Sequence, residues 1–127
     1  MKIMIVDDSK FGRGMVRNYV KAIFPEAEFI PAKNGIEALD IYQNHLNDER
    51  IDLVFLDYLM PEIDGLAVAQ QIMNKDKEAF IVMITSNLQD PVRVNALGQG
   101  IKFFFNKPVK KSDLMEVKQL WEMASQK

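Results

Sequence analysis

The sequence predicts an α/β fold, an open and doubly wound parallel sheet with helices on both faces. Three observations carry this. Five short apolar runs alternate with longer segments of helical periodicity. The runs are continuous rather than alternately apolar and polar, which is how strands buried on both faces read. No linker, repeat or low-complexity segment interrupts the alternation. Five strands are few for a closed eight-stranded barrel, so the sheet is open.

The first run is "KIMIV" (2–6). Asp8 and Ser9 offer caps for a helix over 10–23, although Gly12 and Gly14 each lower its propensity by about 1 kcal/mol. The second run, "EFIPA" (28–32), carries Pro31, which cannot donate to a ladder and places the strand at a sheet edge. Asn34-Gly35 then opens "IEALDIYQNHL", a helix with Ile36, Leu39 and Ile41 expected on its inner face. The third run, "IDLVFL" (51–56), ends on Asp57, and Asp64-Gly65 precedes the helical "LAVAQQIM". After "FIVMI" (80–84), Asp90 and Pro91 supply a cap and a first-turn proline. "KFFF" (102–105) is the fifth run. Ser112 precedes the last helix, where Leu114, Val117, Leu120, Trp121 and Ala124 fall at helical spacing.

Composition bounds the function. The 127 residues suit one domain, 1–127, with 48% apolar and 27% charged residues. A net charge of -2 does not announce a nucleic-acid binder. Residues 101–127 hold six Lys or Arg against three acids, which reads as an ordinary solvated helix face or as a basic patch. The lack of cysteine excludes disulfides, thiolate chemistry and Cys-ligated zinc, and it fits the cytoplasm. No run is long enough to span a membrane, and the opening apolar stretch is too short for a signal peptide. His45, the one histidine, cannot make a zinc site alone and is expected at the surface. The eight methionines read as core filler.

Ligands of open α/β sheets bind beyond the carboxyl ends of the strands. There the first run is followed by Asp7 and Asp8, the third by Asp57, the fourth by Thr85 and Ser86, and the fifth by Asn106, Lys107 and Pro108. Each alone has a plain reading: Asp8 a helix cap, Asp57 a loop residue, Thr85 a strand end, Lys107 a solvated charge. Together they converge on one edge. Two like charges about 4 Å apart cost about 4 kcal/mol at an effective dielectric near 20. Three carboxylates therefore need protons or a cation, and one lysine compensates only in part. All-oxygen ligation with positions left to water is the preference of magnesium, often beside phosphate. Thr85 could donate to one phosphoryl oxygen and Lys107 could pair with another.

"VDDS", "FLDYLMPEIDG", "MITS" and "FNKP", in that order along the whole chain, resemble the receiver domain of two-component response regulators. The organisation is most similar to the stand-alone, chemotaxis-type receiver. The resemblance implies a flavodoxin-like five-stranded parallel sheet, order 2-1-3-4-5, with five helices. It implies that Asp57 is the phosphoacceptor, taking a phosphoryl group from a histidine kinase or phosphotransfer protein. Mg2+ would be held by Asp8 directly, by Asp7 mostly through water, and by Asp57 and the backbone carbonyl of Leu59. Thr85 takes the place of the switch hydroxyl and Phe104 that of the aromatic switch residue. Lys107 and Pro108 would carry a cis peptide bond. Once Asp57 is phosphorylated, Thr85 would turn toward the phosphoryl group and Phe104 would fill the vacated space. The face around the fourth helix, fifth strand and fifth helix would then change for partner binding.

The chain departs from the family pattern at several points. Phe104 lacks the hydroxyl of the more usual tyrosine. Ile101 stands where a small residue is typical, which narrows the room for switching. Phe103 gives three consecutive phenylalanines, suited to a partner surface or to the core. Leu59 and Asn87 occupy positions that tune phosphoryl lifetime in the family.

The resemblance thus implies a non-enzymatic regulator that assists its own phosphorylation and dephosphorylation. It would be a monomer or weak dimer acting on a downstream protein, without direct contact to nucleic acid or membrane. No DNA-binding helical pair follows the fifth helix pattern; output by binding is expected if the 127 residues are the whole protein, and a separate output domain if they are a fragment. A magnesium-dependent phosphohydrolase would need an acid two residues after its nucleophile, where Leu59 stands. A flavodoxin-like cofactor binder would need hydroxyl and glycine residues where "DDS" stands. A phosphate-independent receiver-shaped scaffold is the remaining alternative.

Overall fold

The computed structural model describes residues 1–86 and 95–125. Its strands are β1 (Lys2–Val6), β2 (Glu28–Ala32), β3 (Leu53–Asp57), β4 (Ile81–Thr85) and β5 (Phe103–Asn106). Four helices, α1 (Lys10–Ile23), α2 (Gly35–Asn44), α3 (Gly65–Lys75) and α5 (Lys111–Ala124), lie between or after them. Residues 95–98 are also helical and are designated α4. The expected Asp90-Pro91 cap and Asn87 lie outside the described residues.

All pairings are parallel, in the order β2-β1-β3-β4-β5. Pro31 sits on the edge strand, as its missing N–H requires, opposite Ile5. Register then decides what shares an edge. Val6 pairs with Leu56, Asp57 with Ile84, and Thr85 with Asn106. The residues after these partners therefore emerge level with one another at the carboxyl ends.

The period of two along each strand splits the core. Met4, Val6, Val54, Leu56, Ile81, Met83 and Phe104 face α2, α3 and α4, while Ile3, Ile5, Leu53, Phe55, Val82 and Ile84 face α1 and α5. Each large side chain buried in this way contributes roughly 1.5–3 kcal/mol. β1, β3 and β4 are hidden on both faces, which is why they read as unbroken apolar runs.

Local signals set the helix starts. The Ser9 hydroxyl accepts from the Gly12 N–H at 3.1 Å, Asn34 from Glu37 at 2.8 Å, and Asp64 from Ala67 at 2.9 Å. Each cap stabilises its helix by about 1 kcal/mol. Two expectations need correction, the second of them only in part. The last helix begins at Lys111, one residue before Ser112, because Asp113 turns back to accept from the Lys110 N–H at 3.1 Å. The inner face of α2 is Gly35, Ala38 and Tyr42, with Leu39 and Ile41 half-buried and Ile36 58% exposed. The helical spacing of Gly35, Ala38 and Tyr42 turns the tyrosine inward, where its hydroxyl donates to the buried Asp76 carboxylate. In α5, Leu114 and Val117 are buried and Trp121 is half-buried, but Leu120 and Ala124 are exposed at the fringe of the packed stripe. His45 is half-buried, its Nδ1 2.8 Å from the Ile41 carbonyl.

Candidate functional site

The strand ends deliver the expected residues to one place. Asp7 follows β1 and is 2% exposed; Asp57 closes β3 at 8%. Exposed Asp8 completes the group, and one carboxylate oxygen from each lies within 4.8 Å of the others. Lys107, after β5, joins two of them. Its ammonium donates to Asp7 Oδ2 at 2.9 Å and lies 3.5 Å from Asp57 Oδ2.

The frame around these groups is mostly backbone. Asp7 Oδ1 accepts from the Ser9 N–H at 2.9 Å, and its carbonyl accepts from Arg13 at 2.7 Å. The Lys107 N–H donates to the Thr85 carbonyl at 2.8 Å, and Thr85 is fully buried beside the site. The Lys107-Pro108 peptide is cis, as the resemblance implied. Leu59 is half exposed, with its N–H turned to the Asp57 carboxylate. The Asp-Gly turn has a steric cause. A Cβ on Gly65 would stand 2.3 Å from the Asp57 carbonyl oxygen, and the Gly65 N–H donates to the Tyr58 carbonyl at 2.8 Å. Only glycine lets α3 begin against the backbone that carries the acidic group.

Electrostatics explain what the site wants. Burial pushes the Asp57 carboxyl up to about 6; the Lys107 charge opposes the rise and the Asp7 charge adds to it. For Lys107, burial works against its charge, but Asp7 and Asp57 outweigh burial and hold its pKa above the ordinary value. One ammonium shared between two buried carboxylates leaves negative charge in surplus. Three carboxylates that can meet at one point, with room on the exposed Asp8 side, fit a small hard cation ligated by oxygen and water.

Phe104, expected as the aromatic switch residue, lies on the face of β5 toward α3 and α4. Its ring is already buried, 4% exposed, packed with Ile101, Ala96 and Met83 and 6.3 Å from the Tyr58 ring. Phenylalanine has no hydroxyl to keep in water, and Ile101 at 3% exposure completes an apolar seat. Phe103 and Phe105 are half-buried and stack at 5.3 Å on the opposite face of the sheet, toward α1 and α5. Sequence reasoning overlooked Arg13 and treated Gly12 only as a weak helix former, although both touch Asp7.

The pattern of the Response regulator receiver domain matches residues 3–119. The chain belongs to this family. The receiver is 37% identical over 119 residues to the chemotaxis protein CheY of Listeria monocytogenes, covering 91% of this chain and 93% of that one. To the CheY of Bacillus subtilis it is 34% identical over 116 residues, with 91% and 92% covered. Among solved structures, the CheX-CheY-BeF3-Mg complex of Borrelia burgdorferi matches with a TM-score of 0.80 and 31% identity, over 94% of this chain and 87% of that one. A receiver domain from Clostridium thermocellum shares the fold with a TM-score of 0.85 at 20% identity, over 98% and 96%. The receiver is therefore a two-component signalling domain of the CheY type. No helix among the described residues is long and apolar enough to cross a membrane.

Proposed function

We propose that Asp57 accepts a phosphoryl group from the phosphohistidine of a histidine kinase or phosphotransfer protein, and that this controls binding of a downstream protein. The observation that carries the reading is the group of three carboxylates at the strand ends, two of them, Asp7 and Asp57, bridged by Lys107. Asp7, Asp8, Asp57 and the Leu59 carbonyl would hold Mg2+, which when bound supplies neutralising charge for the incoming phosphoryl group.

Phosphoryl transfer asks for positioning and charge neutralisation more than covalent chemistry from the protein. An oxygen of Asp57 forms the new bond to phosphorus, and the phosphorus–nitrogen bond to the imidazole breaks with its electron pair leaving on nitrogen. The rigid β3 end fixes the direction of attack. Lys107 pairs with a phosphoryl oxygen, and the Thr85 hydroxyl donates to another. The added charge biases the surface formed by α4, β5 and α5, the partner-binding face in this reading. Leu59, standing two residues after Asp57, brings no acid for a leaving group, so the reading is a regulator rather than a phosphohydrolase.

The test is intact mass after incubation with Mg2+ and acetyl phosphate, beside Asp57→Asn and a chelated control. One phosphoryl adduct on the wild type alone, and only with magnesium, is expected. A second reading, a scaffold that binds without phosphate, is favoured by the ring of Phe104 being buried from the start. A folded, magnesium-binding protein with no adduct would select it.

A further inference from the structure

We propose that Gly12 is a positioning residue for the acidic pocket. Its missing side chain lets α1 press directly on the Asp7 carboxylate and so fixes where that carboxylate stands. The inference rests on the magnesium-binding reading above for its consequence, though not for its geometry. A Cβ built on Gly12 would lie 2.5 Å from Asp7 Oδ2, 2.9 Å from Cγ and 3.1 Å from Oδ1. All three atoms of the carboxylate face the helix at that one position.

The collision matters because Asp7 has no slack. Its side chain is 3% exposed, Oδ1 is held by the Ser9 N–H, and Oδ2 is held by Lys107. An added methyl group forces the short side chain to swing, and the swing draws the oxygens away from those donors. Lys107 would then be left with Asp57 as its acidic partner. The Asp7–Lys107–Asp57 arrangement thus depends on a residue with no functional group of its own. Glycine is a poor helix former, so its presence inside α1 calls for a reason. Gly14, two residues on, provides the contrast. A Cβ there meets nothing within 4 Å, and the position is exposed.

Gly12→Ala and Gly14→Ala test this in the full chain. In metal-free protein, the carboxyl carbon resonance of Asp7 is expected to shift in Gly12→Ala and to stay in place in Gly14→Ala. By calorimetric titration, Mg2+ affinity is expected to fall at least tenfold in Gly12→Ala and to remain within twofold of wild type in Gly14→Ala. The melting temperature in chelator should rise in Gly14→Ala and rise less, or fall, in Gly12→Ala. In an Asp7→Ala background the obstacle is gone, and the two alanines should raise the melting temperature alike. An unmoved Asp7 resonance, or a stability difference that persists without the Asp7 carboxylate, would overturn the proposal. If wild type and both variants bind no Mg2+ while the Asp7 resonance still shifts, the magnesium reading fails and the positioning role stands.

Discussion

Asp57 and Asp76 are hidden to the same degree, 8% and 9% exposed, and yet they titrate in opposite directions. For both, burial favours the neutral acid. Asp76, which follows α3, overcomes this. Its Oδ2 accepts from the Tyr42 hydroxyl at 2.7 Å and from the Arg50 guanidinium, and its Oδ1 accepts from the Glu78 N–H at 3.0 Å. Burial raises its pKa, but these donors together hold it below the ordinary range. Asp57 has an ammonium at 3.5 Å that it shares with Asp7, and burial raises its carboxyl to about 6. The comparison teaches that donors decide the direction for Asp76, whereas burial decides it for Asp57. Asp76 has its oxygens committed and ties α2 to the segments flanking β3 and β4. Asp57 has fewer donors, which is consistent with the cation and phosphoryl group proposed for it.

The largest expected effect falls on the satisfied side. Asp76→Ala leaves the buried Tyr42 hydroxyl without its acceptor and removes the partner of Arg50, so stability in urea at pH 7 should drop by about 3 kcal/mol. Asp57→Asn should move the other way in metal-free protein. A pKa raised from 3.8 to about 6 opposes folding by about 3 kcal/mol at neutral pH. Asparagine forfeits part of this through its weaker bond to Lys107, leaving a net gain of about 2 kcal/mol. A loss of stability in that variant would break the contrast.

The pH profiles sharpen the same contrast. Asp57 has a folded-state pKa above its unfolded value, so its penalty is full above about 6 and relieved as pH falls from there toward 3.8. The advantage of Asp57→Asn should therefore shrink between pH 7 and pH 5 in chelator. Asp76 has a lowered folded-state pKa, so its contribution is full above the unfolded value and lost only as pH falls through the lower folded one. The deficit of Asp76→Ala should hold steady to pH 5 and narrow below 4. The smallest effect belongs to Tyr42→Phe. It removes one of several donors to Asp76 and should cost about 1 kcal/mol in the same urea titration.

The two carboxylates also differ in how far the sequence exposes them. Asp57 was legible because it breaks an apolar run and three other strand ends carry complementary chemistry. Strand-end position is a local feature, and parallel register does the rest. The doubly wound sheet, its edge strand at Pro31 and the caps at Ser9, Asn34 and Asp64 were legible on the same local grounds. Asp76 was not. Tyr42 and Arg50 lie 34 and 26 residues away from it, and no local pattern joins them. On α2, Leu39 and Ile41 pack against the core as expected, but Ile36 is exposed and Tyr42 was overlooked, since Ile36 outranks it on hydropathy alone. Gly12 and Gly14 look identical in a propensity count and differ only in what the fold places opposite them. The buried ring of Phe104 depends on Ile101, Ala96 and Tyr58 meeting in space, which the residue types hinted at without deciding.

The central claim is that reactivity resides in the under-satisfied carboxylate, and borohydride trapping after phosphorylation tests it most directly. Reduction converts an aspartyl phosphate to homoserine, which peptide mapping locates. Conversion at Asp57, dependent on magnesium and absent at Asp7, Asp8 and Asp76, is the predicted result. Homoserine at any other aspartate, or magnesium-independent labelling spread over several, would contradict the account.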